Sequence, residues 1–346
     1  MAAEACSSVV SIQRVGILSN EVFGPSRGED VDYVSEAEVE EQADAVQGAL
    51  AKLGFDYRRF ILGEDIEGFV RELKEYRPDV VINLCEAVFG DSHLEMDVPG
   101  ILELLRVPYT GSPPLSLGLC QDKGLTKYLL MASGIPTPRF QVLEALEDWR
   151  GGLSYPLFVK PLWEDASLGI TKESYITKHE ELEKRVEYIV HRYRQPALVE
   201  EYIGGRELNV AILGDKEPEA LPVSEIVFEF SGEPKIVNYS AKWLKDSEEY
   251  AKTVPVCPAR LKAGEKHRVE QTALQAYGVL HCRDYARIDI RLRQGISYVL
   301  EANPNPDISP DAGFARSLKT AGISYEGFIR RIISYALERG RIRADR

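Results

Sequence analysis

The first hundred residues alternate short apolar runs with amphipathic stretches of helical period. Strands are predicted at 14–19, 55–60 and 79–85, and helices at 35–53, 65–77 and 99–106. Ser35 and Glu38 have the spacing of a capping box at the start of the first helix. The alternation predicts an N-terminal α/β domain with a doubly wound parallel sheet, whose ligands bind beyond the carboxyl ends of the strands. The acidic loops expected there, 20–33 and 86–97, are either functional or ordinary solvated surface.

A second unit is predicted to begin after the turn-rich segment 109–114. The pattern that follows predicts a helix at 122–131, which carries Lys123 and Lys127, a strand at 155–160, a loop at 162–170, a helix at 177–193 capped by Thr177 and Glu180, and strands at 197–201 and 207–213. We expect a mixed sheet with helices on one side, where Lys123, Lys160 and the 162–170 loop converge on one cleft. A lone lysine is usually a surface residue, so these lysines are significant only in combination.

The third unit contains a predicted helix at 261–277 and then a β-hairpin. Alternating runs at 286–292 and 296–302 flank Arg293, Gln294 and Gly295, which are typical of a turn. Side chains at i and i+2 of a strand share a face, so Arg287 projects with Asp289, and Glu301 with Asn303.

Two carboxylates on this hairpin require compensation if they lie together. Asp289 and Glu301 held about 4 Å apart would repel by roughly 4 kcal/mol at an effective dielectric constant of 20. A divalent cation removes that repulsion, and oxygen ligands suit Mg²⁺, which leaves its other positions to water and phosphates. The alternative is a solvated hairpin with ordinary strand acids.

Composition limits the function further. Among 346 residues, 42 are basic and 55 acidic, giving a net charge of −13 without a basic block, which argues against nucleic-acid or membrane partners and favours small substrates. Five scattered cysteines without a CxxC argue against a disulfide framework and a zinc site. No signal peptide or apolar run of about 18 residues occurs, so a soluble cytoplasmic protein is expected. The predicted units are 1–117, 118–213 and 214–346.

Several segments together resemble the ATP-grasp superfamily, and over nearly its whole length the chain is similar to D-alanine–D-alanine ligases. The segments that carry this resemblance are LELLRVPYTGS (102–112), QDKGLTKYLLMASGIPTP (121–138), YPLFVKP (155–161), LVEEYIGGRELNVAIL (198–213), SAKWL (240–244), ARIDIRL (286–292) and LEAN (300–303). The resemblance implies an ATP-grasp fold that combines α/β and α+β architecture, and an enzyme that forms an amide or dipeptide bond through an acyl phosphate. It implies ATP, Mg²⁺ or Mn²⁺, small carboxylate and amine substrates, and homodimers formed through the N-terminal domain.

The resemblance also assigns roles to individual residues. Phosphates would contact Lys123, Lys160 and the mobile Lys242; the base and ribose would meet Glu200, Glu201, Ile203 and Glu207; the metal would be held by Asp289, Glu301 and Asn303; and Arg287, Lys242 and Ser167 would act on the reacting groups. Phosphoryl transfer requires positioning and charge neutralisation more than a nucleophilic side chain, and these residue types meet that requirement. The loops 162–170 and 231–250 would exclude water from the acyl phosphate.

The phosphate loop departs from the ligase pattern. Where the ligases have arginine, glutamate, glycine, serine and serine, this chain has Trp163, Glu164, Asp165, Ala166 and Ser167, so the first serine is missing. The tyrosine expected after the mobile lysine is Trp243, whose indole donates a hydrogen bond but cannot accept one.

The substrate side departs further. No N-terminal acid matches the amine-binding glutamate clearly, although Glu21, Glu36 and Glu38 are candidates, and Glu95 is the nearest acid in the segment that follows the third strand. The acceptor loop has Asn305, Pro306, Asp307 and Ala312 where the ligases have serine, proline, glycine and serine. Asp307 would repel an acceptor carboxylate and favour a cationic or hydroxyl-bearing amine; alternatively, it caps a helix that starts near Pro310.

Four functions therefore compete. The first is an ATP-dependent carboxylate–amine ligase with an acceptor other than free D-alanine, and the second is an authentic D-alanine–D-alanine ligase of cell-wall synthesis. The third is a non-catalytic ATP-binding protein, against which the retention of Arg287 argues, since a binder has no use for it. The fourth is a kinase-like ATP-grasp enzyme that phosphorylates without forming an amide.

Overall fold

A computed structural model of the protein describes residues 14–21, 38–165, 167–238, 241 and 247–344. The strands are β1 (Arg14–Asn20), β2 (Asp56–Leu62), β3 (Val80–Asn83), β4 (Phe140–Leu143), β5 (Leu157–Pro161), β6 (Tyr175–Ile176), β7 (Ala197–Glu201), β8 (Arg206–Gly214), β9 (Glu219–Ala220), β10 (Ser224–Phe228), β11 (Thr253–Val256), β12 (Asp284–Arg293) and β13 (Ile296–Asn303). The helices are α1 (Glu38–Leu53), α2 (Ile66–Tyr76), α3 (Asp97–Leu104), α4 (Pro114–Gln121), α5 (Lys123–Ala132), α6 (His179–Arg192), α7 (Glu248–Ala251), α8 (Ala263–Val279), α9 (Gly313–Thr320) and α10 (Tyr325–Ala344).

The N-terminal sheet has the strand order β2-β1-β3, and both pairings are parallel. The prediction of a parallel sheet in this region is confirmed. Its central strand is almost fully buried, which explains why the sequence shows a continuous apolar run there rather than alternation. The predicted capping residue Ser35 lies outside the described residues, and α1 begins at Glu38.

The central sheet has the order β4-β7-β5-β6, and every pairing in it is antiparallel. The expectation of a mixed sheet here is therefore wrong. Strand β8, which we expected to close this unit, pairs along its whole length with β12 instead. It lies in the C-terminal sheet, although the division into three units remains a prediction.

The helix α6 begins two residues after its predicted start at 177. The carboxylate of Glu181 accepts hydrogen bonds from the backbone N–H of Thr177 at 2.8 Å and of Lys178 at 3.2 Å, and the helix begins at His179. Glu180 therefore does not form the predicted capping pair with Thr177. The acid three residues beyond Lys178 reaches back to the orphan N–H groups at this helix end.

The C-terminal sheet has the order β11-β10-β8-β12-β13, with β9 added to β8. The predicted hairpin is present as β12 and β13, and its register pairs Arg287 with Asn303 and Asp289 with Glu301. The opposite face of the sheet packs its apolar side chains, such as Leu208 and Ile288, in a core with α8. One face of the hairpin is therefore left for polar chemistry.

One hydrophobic core joins the N-terminal and C-terminal ends of the chain. Phe328 and Ile332 of α10 pack with Val15 and Ile17 of β1. At its edge Asp284 is fully buried and accepts from Arg339 Nη2 at 2.7 Å and from the Gly111 backbone N–H at 2.8 Å. These contacts join the segment after α3 and the helix α10 to the start of β12. None of the described helices is long and apolar enough to cross a membrane.

Candidate active site

The cleft between the central and C-terminal sheets contains Lys160, which is predicted to contact phosphates, and Glu301, which is predicted to bind the metal. Lys160, at the end of β5, lies with its Nζ 3.7 Å from Glu301 Oε2 on β13 and 3.3 Å from Glu200 Oε1 on β7. The Lys160 side chain is buried. Lys160 therefore contacts one acid of the central sheet and one acid of the hairpin.

A buried triad surrounds Glu200. Lys127 Nζ lies 2.6 Å from Glu200 Oε2, and this lysine also donates to Thr137 Oγ1 at 2.9 Å. Burial opposes the charge on Glu200, but Lys127 and Lys160 outweigh it and lower the pKa of its carboxyl. Burial also lowers the pKa of Lys127. The Glu200 carboxylate forms ion pairs with both lysines. Its contact with an adenine amine remains a prediction.

On the hairpin, Arg287 donates two hydrogen bonds to the carboxylate of Asp289. Arg287 Nε donates to Asp289 Oδ1 at 2.8 Å and Nη2 donates to Oδ2 at 2.9 Å, and Asn209 Nδ2 adds a bond of 2.7 Å to Oδ1. Burial disfavours the guanidinium, but Asp289 overcomes it and raises the pKa of Arg287. Arg287 is thus a fixed positive charge whose partner oxygens face the same cleft.

Glu301 stays ionised although it is surrounded by protein. Burial opposes its charge, yet Lys160, Lys123 and Arg287 together lower the pKa of Glu301 to about 2. Carboxylates kept negative in this way are available as oxygen ligands at any physiological pH.

The donor set fits a hard divalent cation. Asp289 and Glu301 are cross-strand partners, and the Asn303 Oδ1 beside them accepts a hydrogen bond from the Asn305 backbone N–H at 3.0 Å. Within the part of the chain that the structure describes, no three His, Cys, Asp or Glu side chains cluster as metal ligands. Two carboxylates and one amide oxygen match the few protein ligands that Mg²⁺ takes.

At the other end of the cleft, Glu207 is paired with Arg291, which is not among the predicted site residues. Arg291 Nη2 lies 2.5 Å from Glu207 Oε2 and also donates to the Lys235 carbonyl. Burial raises the pKa of Glu207, Arg291 counteracts that rise, and Asp289 and Glu301 add to it. Arg291 could have been found from its two-residue spacing from Asp289 on the same strand.

Replacing Arg291 by methionine is expected to lower the free energy of unfolding by about 3 kcal/mol at pH 8, because Glu207 would be left buried without its counter-ion. The pKa of Glu207 would then rise further above its value in the unfolded chain. A group with a raised native pKa stabilises the fold once it is protonated, so the loss should shrink as the pH falls towards 5. Urea unfolding at several pH values measures this.

The matched control is Arg206→Met. Arg206 pairs with Glu225 at 2.6 Å on the opposite face of the same sheet, and its side chain is 32% exposed against 4% for Arg291. Its replacement should change stability by about 1 kcal/mol or less at every pH. Equal, pH-independent losses in the two variants would contradict the assignment of the Arg291 effect to a stranded Glu207 charge.

The other predicted nucleotide-side residues differ in where they point. The Glu201 carboxylate accepts from the Ser154 backbone N–H at 2.8 Å and from Arg139 at 3.2 Å, which turns it away from the lysines. Ile203 is buried. Ser167 donates to the Val237 carbonyl at 3.1 Å, so the 162–170 loop contacts the segment that precedes Lys242 in the chain. Lys242 and Trp243 lie outside the described residues.

Of the two described lysines that are predicted to contact phosphates, Lys160 pairs with Glu200 and Glu301, whereas Lys123 pairs with neither. Its Nζ lies 2.7 Å from Asp165 Oδ1 of the phosphate loop. Asp165 is one of the residues that differ from the ligase pattern, and its pairing with Lys123 was not predicted.

Two of the predicted substrate residues, Glu95 and Asp307, lie close in the chain or in space to Asn305, just beyond the end of the hairpin. Asn305 Nδ2 donates to Glu95 Oε1 at 2.9 Å and to the Cys85 carbonyl at 2.9 Å. Burial raises the pKa of Glu95 well above its usual range, and the charges of Glu86 and Asp165 add to the rise. The neighbourhood of Glu95 is therefore acidic.

Asp307 does not cap a helix. Its Oδ1 accepts from the Ser309 backbone N–H at 2.8 Å in a local turn, and the next helix, α9, begins at Gly313 after Ala312. The alternative expectation for Asp307 is therefore wrong. Gln42, which no sequence pattern singles out, connects this loop to the N-terminal domain: its Oε1 accepts from the Ile308 backbone N–H at 3.2 Å and its Nε2 donates to Glu86 at 2.8 Å.

The fold and the arrangement of the cleft define an ATP-grasp protein, as predicted. A solved structure with this fold, the D-alanine–D-alanine ligase of Bacillus anthracis complexed with ATP, has a TM-score of 0.74 and 25% sequence identity and covers 96% of this chain and 99% of its own.

The chain belongs to the D-alanine–D-alanine ligase family. The family model "D-ala D-ala ligase C-terminus" matches residues 129–334. An uncharacterized protein, y4sG, of Sinorhizobium fredii is 36% identical over 86% of this chain and 88% of its own length. The D-alanine–D-alanine ligase of Cupriavidus taiwanensis is 32% identical over 94% of this chain and 92% of its own. That of Pelotomaculum thermopropionicum is 29% identical over 89% and 95%.

Proposed function

We propose that the protein is an ATP- and Mg²⁺-dependent ligase that joins a carboxylate to an amine through an acyl phosphate, with an acceptor other than free D-alanine. The contact of Lys160 with both Glu200 and Glu301 supports this best. It joins the strand proposed to border the nucleotide to the strand proposed to hold the metal. A cation between those two sites suits a triphosphate whose terminal group must reach the metal.

In this proposal the cleft residues neutralise and position charge. Lys123, Lys160 and Lys242 would hold the phosphates, with Ser167 beside them. Glu200, Glu201, Ile203 and Glu207 would border the base and ribose. Mg²⁺ bound by Asp289, Glu301 and Asn303 would screen the charge on the transferred phosphoryl group.

Arg287 is proposed to act after the acyl phosphate has formed. When an amine attacks the acyl carbon, the carbonyl oxygen becomes an oxyanion and phosphate then leaves. A guanidinium already fixed by two bonds to Asp289 does not have to reorganise when that charge develops. Arg287 would therefore stabilise the tetrahedral intermediate.

The proposal of a different acceptor rests on negative charge at the substrate end. Asp307 supplies that charge, and one of its oxygens accepts a hydrogen bond from the Ser309 backbone N–H. The Glu95 carboxyl beside Asn305 adds no charge, because burial raises its pKa well above its usual range. A free amino acid would bring its own carboxylate to this loop and be repelled. An amine with a second cationic group or a hydroxyl would not be repelled in this way.

A substrate panel tests the proposal. Purified protein with ATP and Mg²⁺ is offered amino acids of both configurations, diamines and amino alcohols, and ADP release and product mass are recorded. We expect release of ADP and phosphate and an amide product only when a suitable amine is present, with D-alanine alone inactive. Turnover with D-alanine as sole substrate, at rates typical of such ligases, would overturn the acceptor proposal.

The names of the relatives favour a second candidate, an authentic D-alanine–D-alanine ligase with an unusual pocket. The same panel identifies it through a D-alanyl-D-alanine product. A phosphorylated product without an amide would indicate a kinase-like enzyme. Binding of ATP without turnover of any substrate would indicate a non-catalytic nucleotide-binding protein.

A further inference from the structure

The ion pair between Lys123 and Asp165 lies inside the proposed nucleotide site. The Lys123 side chain is only 3% exposed, whereas that of Asp165 is 49% exposed, and the two charged atoms are 2.7 Å apart. Lys123 stands at the first position of α5, and Asp122 caps this helix by accepting from the Leu125 backbone N–H. The lysine is therefore fixed, and the carboxylate is the partner that has room to move.

Asp165 faces the cleft rather than the outer surface of its loop. Its charge acts on Lys160, on Arg287 and on Glu95, which come from three different parts of the site. The adjacent acid, Glu164, points elsewhere and accepts from Gln195 Nε2 at 2.7 Å. Of these two neighbouring carboxylates, Asp165 is the one that meets the phosphate lysines.

We propose that Asp165 is an internal competitor for the nucleotide's phosphates, because it occupies Lys123 and adds negative charge to the cleft where those phosphates bind. This inference rests on the proposed function. A carboxylate and a phosphate that share the Lys123 ammonium would repel each other at this short distance. Nucleotide binding must therefore displace Asp165 towards solvent, which its exposure allows. Asp165 then sets the nucleotide affinity through charge.

Removing this charge should tighten nucleotide binding. In isothermal titration calorimetry with Mg²⁺, Asp165→Asn is expected to bind ATP and ADP about three- to tenfold more tightly than the wild type. Adenosine, which has no phosphate, should bind both proteins equally. Asp165→Glu keeps the charge and should bind ATP and ADP as the wild type does.

Two further variants isolate the contact. Glu164→Gln removes the same charge from the neighbouring residue and should change the ATP affinity less than twofold. Lys123→Met should weaken ATP binding more than tenfold, and adding Asp165→Asn to it should give less tightening than in the wild-type background, since the competed lysine is gone. Melting curves confirm that each variant is folded.

Four other results would contradict the inference about Asp165, in one case together with the proposed function. Weaker ATP binding by Asp165→Asn would mean that Asp165 supports the nucleotide or its metal rather than competing with it. Tightening that extends to adenosine would show a change of structure instead of a change of charge. Wild type that binds no ATP with Mg²⁺ would overturn the proposed function, and the role of Asp165 with it. Wild-type binding without tightening in the variant overturns the inference alone.

Discussion

Replacing Glu301 by glutamine is expected to reduce ADP release to below about 1% of the wild-type rate. The change keeps the size of the side chain and removes its charge. That charge is held ionised by Lys160, Lys123 and Arg287 against the effect of burial, which gives the carboxyl a pKa of about 2. A neutral amide at this position would bind Mg²⁺ poorly, and the terminal phosphate would lose its partner. Coupled measurement of ADP release at rising Mg²⁺ concentration tests this.

The matched control for Glu301→Gln is Glu225→Gln. Glu225 pairs in register with Leu208, so the two side chains project from the same face of the sheet. Leu208 lies in the core with α8, and this face is therefore opposite to the one that carries Glu301. This variant loses the same charge from the same sheet and should keep at least half of the wild-type rate. An unaffected rate in Glu301→Gln, with Glu225→Gln equally active, would remove Glu301 from the metal site. Lys160 retains Glu200 as a partner in the variant, so the melting temperature should stay near that of the wild type.

Replacing Arg287 by lysine is expected to lower kcat by about 100- to 1,000-fold while the affinity for ATP changes less than about threefold. Lysine keeps the positive charge but cannot make the two parallel bonds that fix Arg287 to Asp289. The charge would no longer be held where the oxyanion develops. Because the proposed contact forms only in the transition state, the loss should appear in kcat and not in nucleotide binding.

Arg293→Lys is the control for Arg287→Lys. Arg293 ends the same strand and is exposed, so its replacement should leave kcat within about twofold. Steady-state kinetics with the active amine, together with ATP titration calorimetry, separate the two effects. An Arg287→Lys enzyme with full kcat would show that the guanidinium is not needed for the chemical step. A parallel loss of ATP affinity would place Arg287 at the nucleotide instead.

Local patterns were sufficient for much of the fold. The alternation of residues 286–292 and 296–302 predicted the hairpin, but the pairing of Asp289 with Glu301 also depends on a register shift between Asp289 and Ile290, which the alternation does not predict. The parallel N-terminal sheet followed from its strand and helix order. These features depend on period and on neighbours in the chain, which a sequence displays directly.

Pairing between distant segments was less accessible. Strand β8 was expected in the central sheet, yet it pairs with β12, about eighty residues later. Its own pattern fits either sheet, because an antiparallel strand needs only an apolar face and a free edge. The helix α4 also escaped prediction, since eight residues with mixed polarity give little periodic signal.

The side chains available to the site can be read from the order of the residues alone: lysines on α5 and β5, and two acids, an arginine and an amide on the hairpin. Which of these charged groups form ion pairs with one another depends on the tertiary structure. It set Lys160 between Glu200 and Glu301, paired Arg291 with Glu207, and turned Asp165 rather than Glu164 towards Lys123. The reason is physical: a charge buried at a junction of two sheets is stabilised by whatever the other sheet presents, and strand pairing far away in the chain fixes that.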